Sequence, residues 1–211
     1  MQTKLIAGIV FAVAAQGQAQ ANVVFQFSQV GGNVVMQSSG VLDTAKLVAV
    51  LPGGWGNDGV ETNGGGQSDI MGDTTMGGFD RGFTFHGGTN LSPWIGDMFT
   101  ISNFNWTSTG TTQFATYYFN NGFRTPGIGI SSADMSGALW APNVSWTKAG
   151  NFASLGLTVG DYTITDIETK ESISIRIGDA LPPASVPEPT SLALLGLGLA
   201  GFAAVRRKRQ S

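Results

Sequence analysis

The sequence has no cysteine and a single histidine, His86, in 211 residues. Without cysteine there is no disulfide, no thiolate zinc site and no thiol nucleophile. One histidine leaves no multi-histidine metal site. Charge is scarce too: Asp, Glu, Lys and Arg make up 12% of the chain, against roughly 25% in an ordinary globular domain. Between residues 22 and 185 six Lys and Arg face thirteen Asp and Glu, a net charge of −7. Phosphate backbones are held by lysine and arginine, so this balance excludes a nucleic-acid partner. Helical stripes are also missing from that region, where no long segment repeats its apolar residues at the helical period.

What is present is glycine, 31 of them, and a hydrophobic content of 42% that suffices for a packed core. The length suits one domain plus targeting segments. Strand signals dominate residues 22–180. Val23–Gln29 and Val34–Gln37 flank Gly31-Gly32-Asn33 as a hairpin, and Ile173, Ile175 and Ile177 alternate with polar neighbours on one face. Further strands are expected at 47–51, 82–85, 98–101, 113–119, 144–147 and 162–165. Many short strands with glycine-rich turns predict an all-β domain, a β-sandwich or a jelly-roll-like fold.

Pro52 to Gly82 is dense in Gly, Asp and Asn and reads as a long loop, or two loops around a short element. Residues 53–61 (GGWGNDGVE) fit one calcium-binding nonapeptide. That motif works by stacking successive turns, and residues 62–70 do not repeat it. A solvated turn is therefore the adopted reading, with no metal assigned; Asp58, Glu61, Asp69 and Asp73 are the calcium candidates. His86 reads as a polar residue at a strand end. Gly129-Ile-Ser131-Ser-Ala133 lacks the second glycine of a nucleophile elbow. No pair of carboxylates stands out, so no catalytic residue is assigned. Trp55, Trp94, Trp106, Trp140 and Trp146 are core residues on the ordinary reading and sugar-stacking platforms on the alternative one.

The two ends are addresses. Lys4, an eleven-residue apolar run from Leu5 to Ala15, and the small-x-small pattern Ala19-Gln20-Ala21 make residues 1–21 a secretory signal peptide. It implies Sec-type export, signal peptidase and a mature start at Asn22. At the other end, 181–185 is a linker before Val186-Pro187-Glu188-Pro189. A fourteen-residue uncharged run, Leu192–Val205, then precedes Arg206, Arg207, Lys208 and Arg209. The run is about 21 Å as a helix, short of a ~30 Å hydrocarbon core. With Thr190, Ser191 and snorkelling arginines, about 190–205 spans as a transmembrane helix. The basic end holds that terminus in the cytoplasm and leaves the preceding domain outside. Gly196-Leu-Gly198-Leu-Ala-Gly201 spells a dinucleotide fingerprint without its strand–helix context, so it is read as small residues packing a membrane helix.

Motif, span and basic cluster in this order resemble the PEP-CTERM sorting tail of Gram-negative bacteria, here residues 186–211. The resemblance implies an exosortase as partner, with Val186, Pro187, Glu188 and Pro189 as the recognised motif and Arg206–Arg209 as the basic anchor. Residues 23–47 and 151–178 are similar to stretches that recur in PEP-CTERM ectodomains of unassigned activity. The resemblance implies a non-enzymatic surface or extracellular-matrix protein, associated with exopolysaccharide and passing through an inner-membrane intermediate. The alternative is a secreted glycan-active hydrolase, or a carbohydrate- or calcium-binding module.

Overall fold

Val23, Phe25 and Phe27 are buried while Val24, Gln26 and Ser28 between them stay partly exposed. That alternation makes a strand with one face turned to the core. A computed structural model describes residues 22–62, 69–74, 78–119 and 124–179. The signal peptide, with Ala19 and Ala21, and the whole sorting tail lie outside the described residues. The chain divides into two compact units, Met1–Asp179 and Ala180–Ser211.

The first unit is all-β. Its first half supplies β1 (Asn22–Val30), β2 (Asn33–Gly40), β3 (Leu42–Asp43), β4 (Val48–Val50), β5 (Asp58–Val60), β6 (Asp69–Asp73), β7 (Arg81–Thr84) and β8 (Asn103–Phe104). The second half supplies β9 (Thr107–Gly110), β10 (Phe114–Phe119), β11 (Thr125–Ile130), β12 (Met135–Ser136), β13 (Leu139–Trp140), β14 (Val144–Ala149), β15 (Gly160–Thr165) and β16 (Ser172–Ile177). Helix is confined, among the described residues, to single 3-10 turns at Thr44–Lys46, Ser92–Trp94 and Ser132–Asp134.

Six strands form one sheet in the order β15-β16-β1-β2-β14-β9, seven form another, β4-β7-β11-β10-β6-β5-β8, and β12-β13-β3 make a small third. The first and last strands, β1 and β16, pair in parallel, Asn22 with Ser172 through Phe27 with Ile177. Their neighbours in both large sheets are antiparallel. The inward residues of the two large sheets enter one core cluster. Phe25 of β1 stacks on Phe114 of β10 with ring centroids 4.6 Å apart, and Phe114 stacks in turn on Trp146 of β14 at 5.9 Å. Each such ring contributes roughly 1.5–3 kcal/mol by burial.

The seven-stranded sheet is covered on its other face as well. Trp55, Phe79, Ala115 and Tyr117 form a second buried cluster, with Phe104 packed against it. Glycines make this cover possible. A Cβ at Gly72 would lie 2.7 Å from Trp55 Nε1, and one at Gly129 would lie 2.8 Å from the Phe79 ring.

Two sequence expectations are corrected here. The stretch 52–82, expected as one loop or as two around a single short element, holds two strands, β5 and β6, and Trp55 and Phe79 on either side fold back over the sheet. Residues 98–101 are not a strand, since only Phe99 bridges, to Leu157. Met98 and Phe99 are apolar because they fill the core from a turn.

Candidate functional site

The four calcium candidates fall at two ends of one β-ribbon. Asp58 and Asp73 lie directly opposite each other on β5 and β6. Asp73 is already engaged: its Oδ2 accepts from Trp146 Nε1 at 2.7 Å and from the Ser108 hydroxyl. Glu61 follows β5, and its amide donates to the Ile70 carbonyl at 2.8 Å. With Asp69, Trp55 and Asn57 it lines a cleft of about 360 Å³. Three residues of strand, about 10 Å at 3.4 Å each, separate the two pairs. Glu61 is held above the usual carboxylate range by burial first and by the charge of Asp69 second. Among the described residues no three His, Asp or Glu side chains are grouped to hold a metal ion. The four candidates thus do not form one site, because an antiparallel ribbon keeps its ends apart.

The tryptophans are core residues, as the ordinary reading expects, and not the sugar platforms of the alternative one. All five are buried, Trp94, Trp140 and Trp146 completely and Trp55 with 5% exposed. Their indoles are committed inward: Trp55 Nε1 donates to Asn57, Trp94 to Tyr162 and Trp106 to Asn103, each to a backbone carbonyl.

His86 follows β7 and meets a carboxylate that sequence reasoning passed over. Asp166, 0% exposed, opens the turn between β15 and β16. Its Oδ2 accepts from the His86 amide at 2.7 Å and lies 3.0 Å from His86 Nδ1. Its Oδ1 accepts from the Glu168 and Thr169 amides, both at 2.8 Å. Burial pushes the Asp166 carboxyl up, but the Thr169 and His86 amides, the His86 ring and the Glu168 amide together bring it below the usual range. The other ring nitrogen, Nε2, is 3.6 Å from the Glu168 carboxylate. Both imidazole nitrogens therefore face carboxylates, and neither is aimed at a hydroxyl nucleophile. Ser131, from the rejected elbow, caps a 3-10 turn by accepting from the Ala133 amide.

The same turn closes on Glu171, 1% exposed. Its carboxylate accepts from Lys46 Nζ at 2.9 Å and from the Asp43 amide at 3.1 Å. The Glu171 hydrogen bond and charge raise the Lys46 ammonium above its ordinary value. Asp166-Ile-Glu-Thr-Lys-Glu171 is thus a clasp, with one buried carboxylate holding the segment after β7 and the other holding the segment after β3. Only its turn has a local signal, an aspartate accepting from amides two and three residues on.

Residues 185–208 match the family of the PEP-CTERM protein-sorting motif. The chain carries a PEP-CTERM sorting tail. The match takes in Val186, Pro187, Glu188 and Pro189 and three of the four basic residues, Arg206, Arg207 and Lys208. The motif marks an exported protein, sorted to the cell surface through an exosortase. No curated protein and no solved structure matches the chain. Among the described residues no helix is long and apolar enough to cross a membrane; the expected span at 190–205 lies outside them. The PEP-CTERM tail is an address, and the chemistry of the β domain has to be argued from the domain itself.

Proposed function

We propose that the chain is a non-enzymatic cell-surface or extracellular-matrix protein, displayed through its PEP-CTERM tail and associated with exopolysaccharide, with neither catalytic residue nor cofactor. The sorting motif at 185–208 is the observation that carries the surface-display part of this reading. Two large sheets sharing one core support a sandwich for the displayed domain. In this scheme signal peptidase cuts after Ala21, and Leu192–Val205 holds the chain in the inner membrane with Arg206–Arg209 in the cytoplasm. The exosortase then processes it near Pro187-Glu188-Pro189. Proline lacks an amide hydrogen and fixes φ, so the two prolines present an extended backbone around the single charge of Glu188. Immunoblots of membrane and surface fractions, from cells with and without an exosortase, test it. Glu188→Ala should insert normally and stay full-length in the membrane; processing and release at the wild-type level would refute the sorting role.

A second reading, a glycan-active hydrolase, draws on Glu61 and Asp69. Two carboxylates in one cleft, one held protonated to higher pH by burial, is the division of labour a glycosidase uses. Release of reducing ends from neutral or charged glycans, abolished by Glu61→Gln, would establish it against the non-enzymatic reading.

A further inference from the structure

The outer face of the six-stranded sheet carries a row of uncharged polar side chains. Gln26 on β1 lies opposite Gln37 on β2, Gln37 opposite Ser145 on β14, and Ser145 opposite Thr109 on β9. Their strand neighbours Phe25, Phe27, Met36, Val144 and Trp146 are buried, so the row faces away from the core. Together with Ser39 and Asn143 it lines a groove of about 400 Å³.

The groove is chemically selective. It contains no lysine, arginine, aspartate or glutamate and no aromatic ring. The nearest cation on the row, Arg176 opposite Gln26, is already paired with Asp161 at 2.9 Å. An anionic polymer would find no free cation there and would meet an acidic domain. A metal ion would find no carboxylate, and a hydrophobic ligand would find Val144 as the one large apolar side chain, itself nearly buried. What remains are amides and hydroxyls, which donate and accept as sugar hydroxyls do. One of them is held in place: Gln26 Nε2 donates to the Phe27 and Gly178 carbonyls, both at 3.0 Å. The side chains of Gln37, Ser39, Asn143 and Ser145 make no hydrogen bond to other described residues, which leaves their polar groups open to a ligand. Neighbouring strands put these groups about 4.8 Å apart in a line across the sheet.

We propose that this groove binds a strand of neutral polysaccharide lying across β1, β2, β14 and β9. The proposal rests on the matrix-protein reading for the class of partner and adds the site. Without ring stacking, a single site has an affinity on the order of millimolar. Many copies displayed along one polymer add up by avidity.

The test titrates the full chain in detergent micelles with pullulan, dextran and laminarin, using alginate and chitosan as charged counter-probes, by affinity electrophoresis. At least one neutral polymer should retard the protein, and neither charged polymer should do so. The Gln37→Ala/Ser145→Ala double variant should bind at least tenfold more weakly, while Thr107→Ala, on β9 outside the groove, should bind as wild type. Retardation by no neutral polymer, preference for a charged one, or wild-type binding by the double variant would overturn the proposal. Cell fractionation of the same double variant separates the two readings. Lost binding with normal surface delivery places the fault in the groove alone, and defective delivery of the unmodified chain places it in the sorting scheme.

Discussion

The two large sheets of this protein are built on different terms. The six-stranded sheet has one face on the core and one facing out, and its central strands are long, nine residues in β1 and eight in β2. Its sequence alternates accordingly. The seven-stranded sheet is packed on both faces, by the six-stranded sheet and by Trp55 and Phe79, which cover Ala115 and Tyr117 of β10. Its interior strand β11, Thr125–Ile130, is buried at all six positions. A strand with no wet face has no reason to alternate, and it needs small residues where a cover approaches its backbone. Polarity patterns the first sheet and steric space the second.

The largest break in this arrangement should come from the clasp that joins the two. Asp166 follows β15 of one sheet and holds His86, which follows β7 of the other. Asp166→Ala would leave the His86, Glu168 and Thr169 amides without their acceptor, a loss of about 3 kcal/mol. That is a fall in melting temperature of roughly 6–12 °C, read by circular dichroism. The pH dependence has a fixed sign. A carboxyl held below its ordinary value in the fold takes up a proton more readily when unfolded, so its contribution is complete above the ordinary carboxylate pKa, near 4. It is lost as pH falls through the lowered value. Asp166→Asn keeps the side-chain shape and should flatten the acid limb of the melting profile; an unchanged limb would show that Asp166 does not set it.

Next in size is a test of the steric rule. Gly72→Ala places a Cβ 2.7 Å from Trp55 Nε1 and 2.8 Å from the Phe114 carbonyl oxygen, which is backbone and cannot turn aside. The expected loss is about 2–3 kcal/mol. Ser39→Ala on the outer face of the six-stranded sheet, an exposed position, should change stability by no more than about 0.5 kcal/mol. Equal losses by chemical denaturation would erase the distinction between the sheets.

This contrast also explains what could be read in the sequence. The hairpin β1–β2 was legible because one face is wet, and strand β16 because Ile173, Ile175 and Ile177 alternate with the polar Ser172, Ser174 and Arg176, although both serines are buried. Strand β11 was not, because Thr125-Pro126-Gly127-Ile128-Gly129-Ile130 carries the residues of a turn while serving as the middle of a sheet. Strands β5 and β6 were hidden because they also carry turn residues: Gly72 packs against Trp55, and Asp58, Asp69 and Asp73 are partly exposed polar positions. The exposed strand β9, Thr107–Gly110, has no apolar residue to announce it. The sorting tail was the clearest feature of all, since its motif and charge order are local. The Asp166–His86 contact joins residues eighty positions apart, and no local pattern reports that distance.

The smallest effect tests whether the polar links between the sheets matter beyond their rings. Trp146 and Trp140 are both fully buried and both pack near Phe114. Trp146 Nε1 donates to the Asp73 carboxylate on the opposite sheet, whereas Trp140 Nε1 has no hydrogen-bond partner among the described residues. Replacing each by phenylalanine removes similar volume and one indole N–H. At Trp146 this also removes a hydrogen bond to a charged group, so about 1.5–3 kcal/mol should be lost. At Trp140 the lost packing is offset by the removal of a buried donor that is unsatisfied in the fold but hydrated when unfolded. The net change there should stay within about 1 kcal/mol of zero, of either sign. Urea denaturation of the two variants side by side makes the comparison. If Trp140→Phe falls as far as Trp146→Phe, ring volume alone holds the sheets together and the Trp146–Asp73 bond contributes nothing of its own.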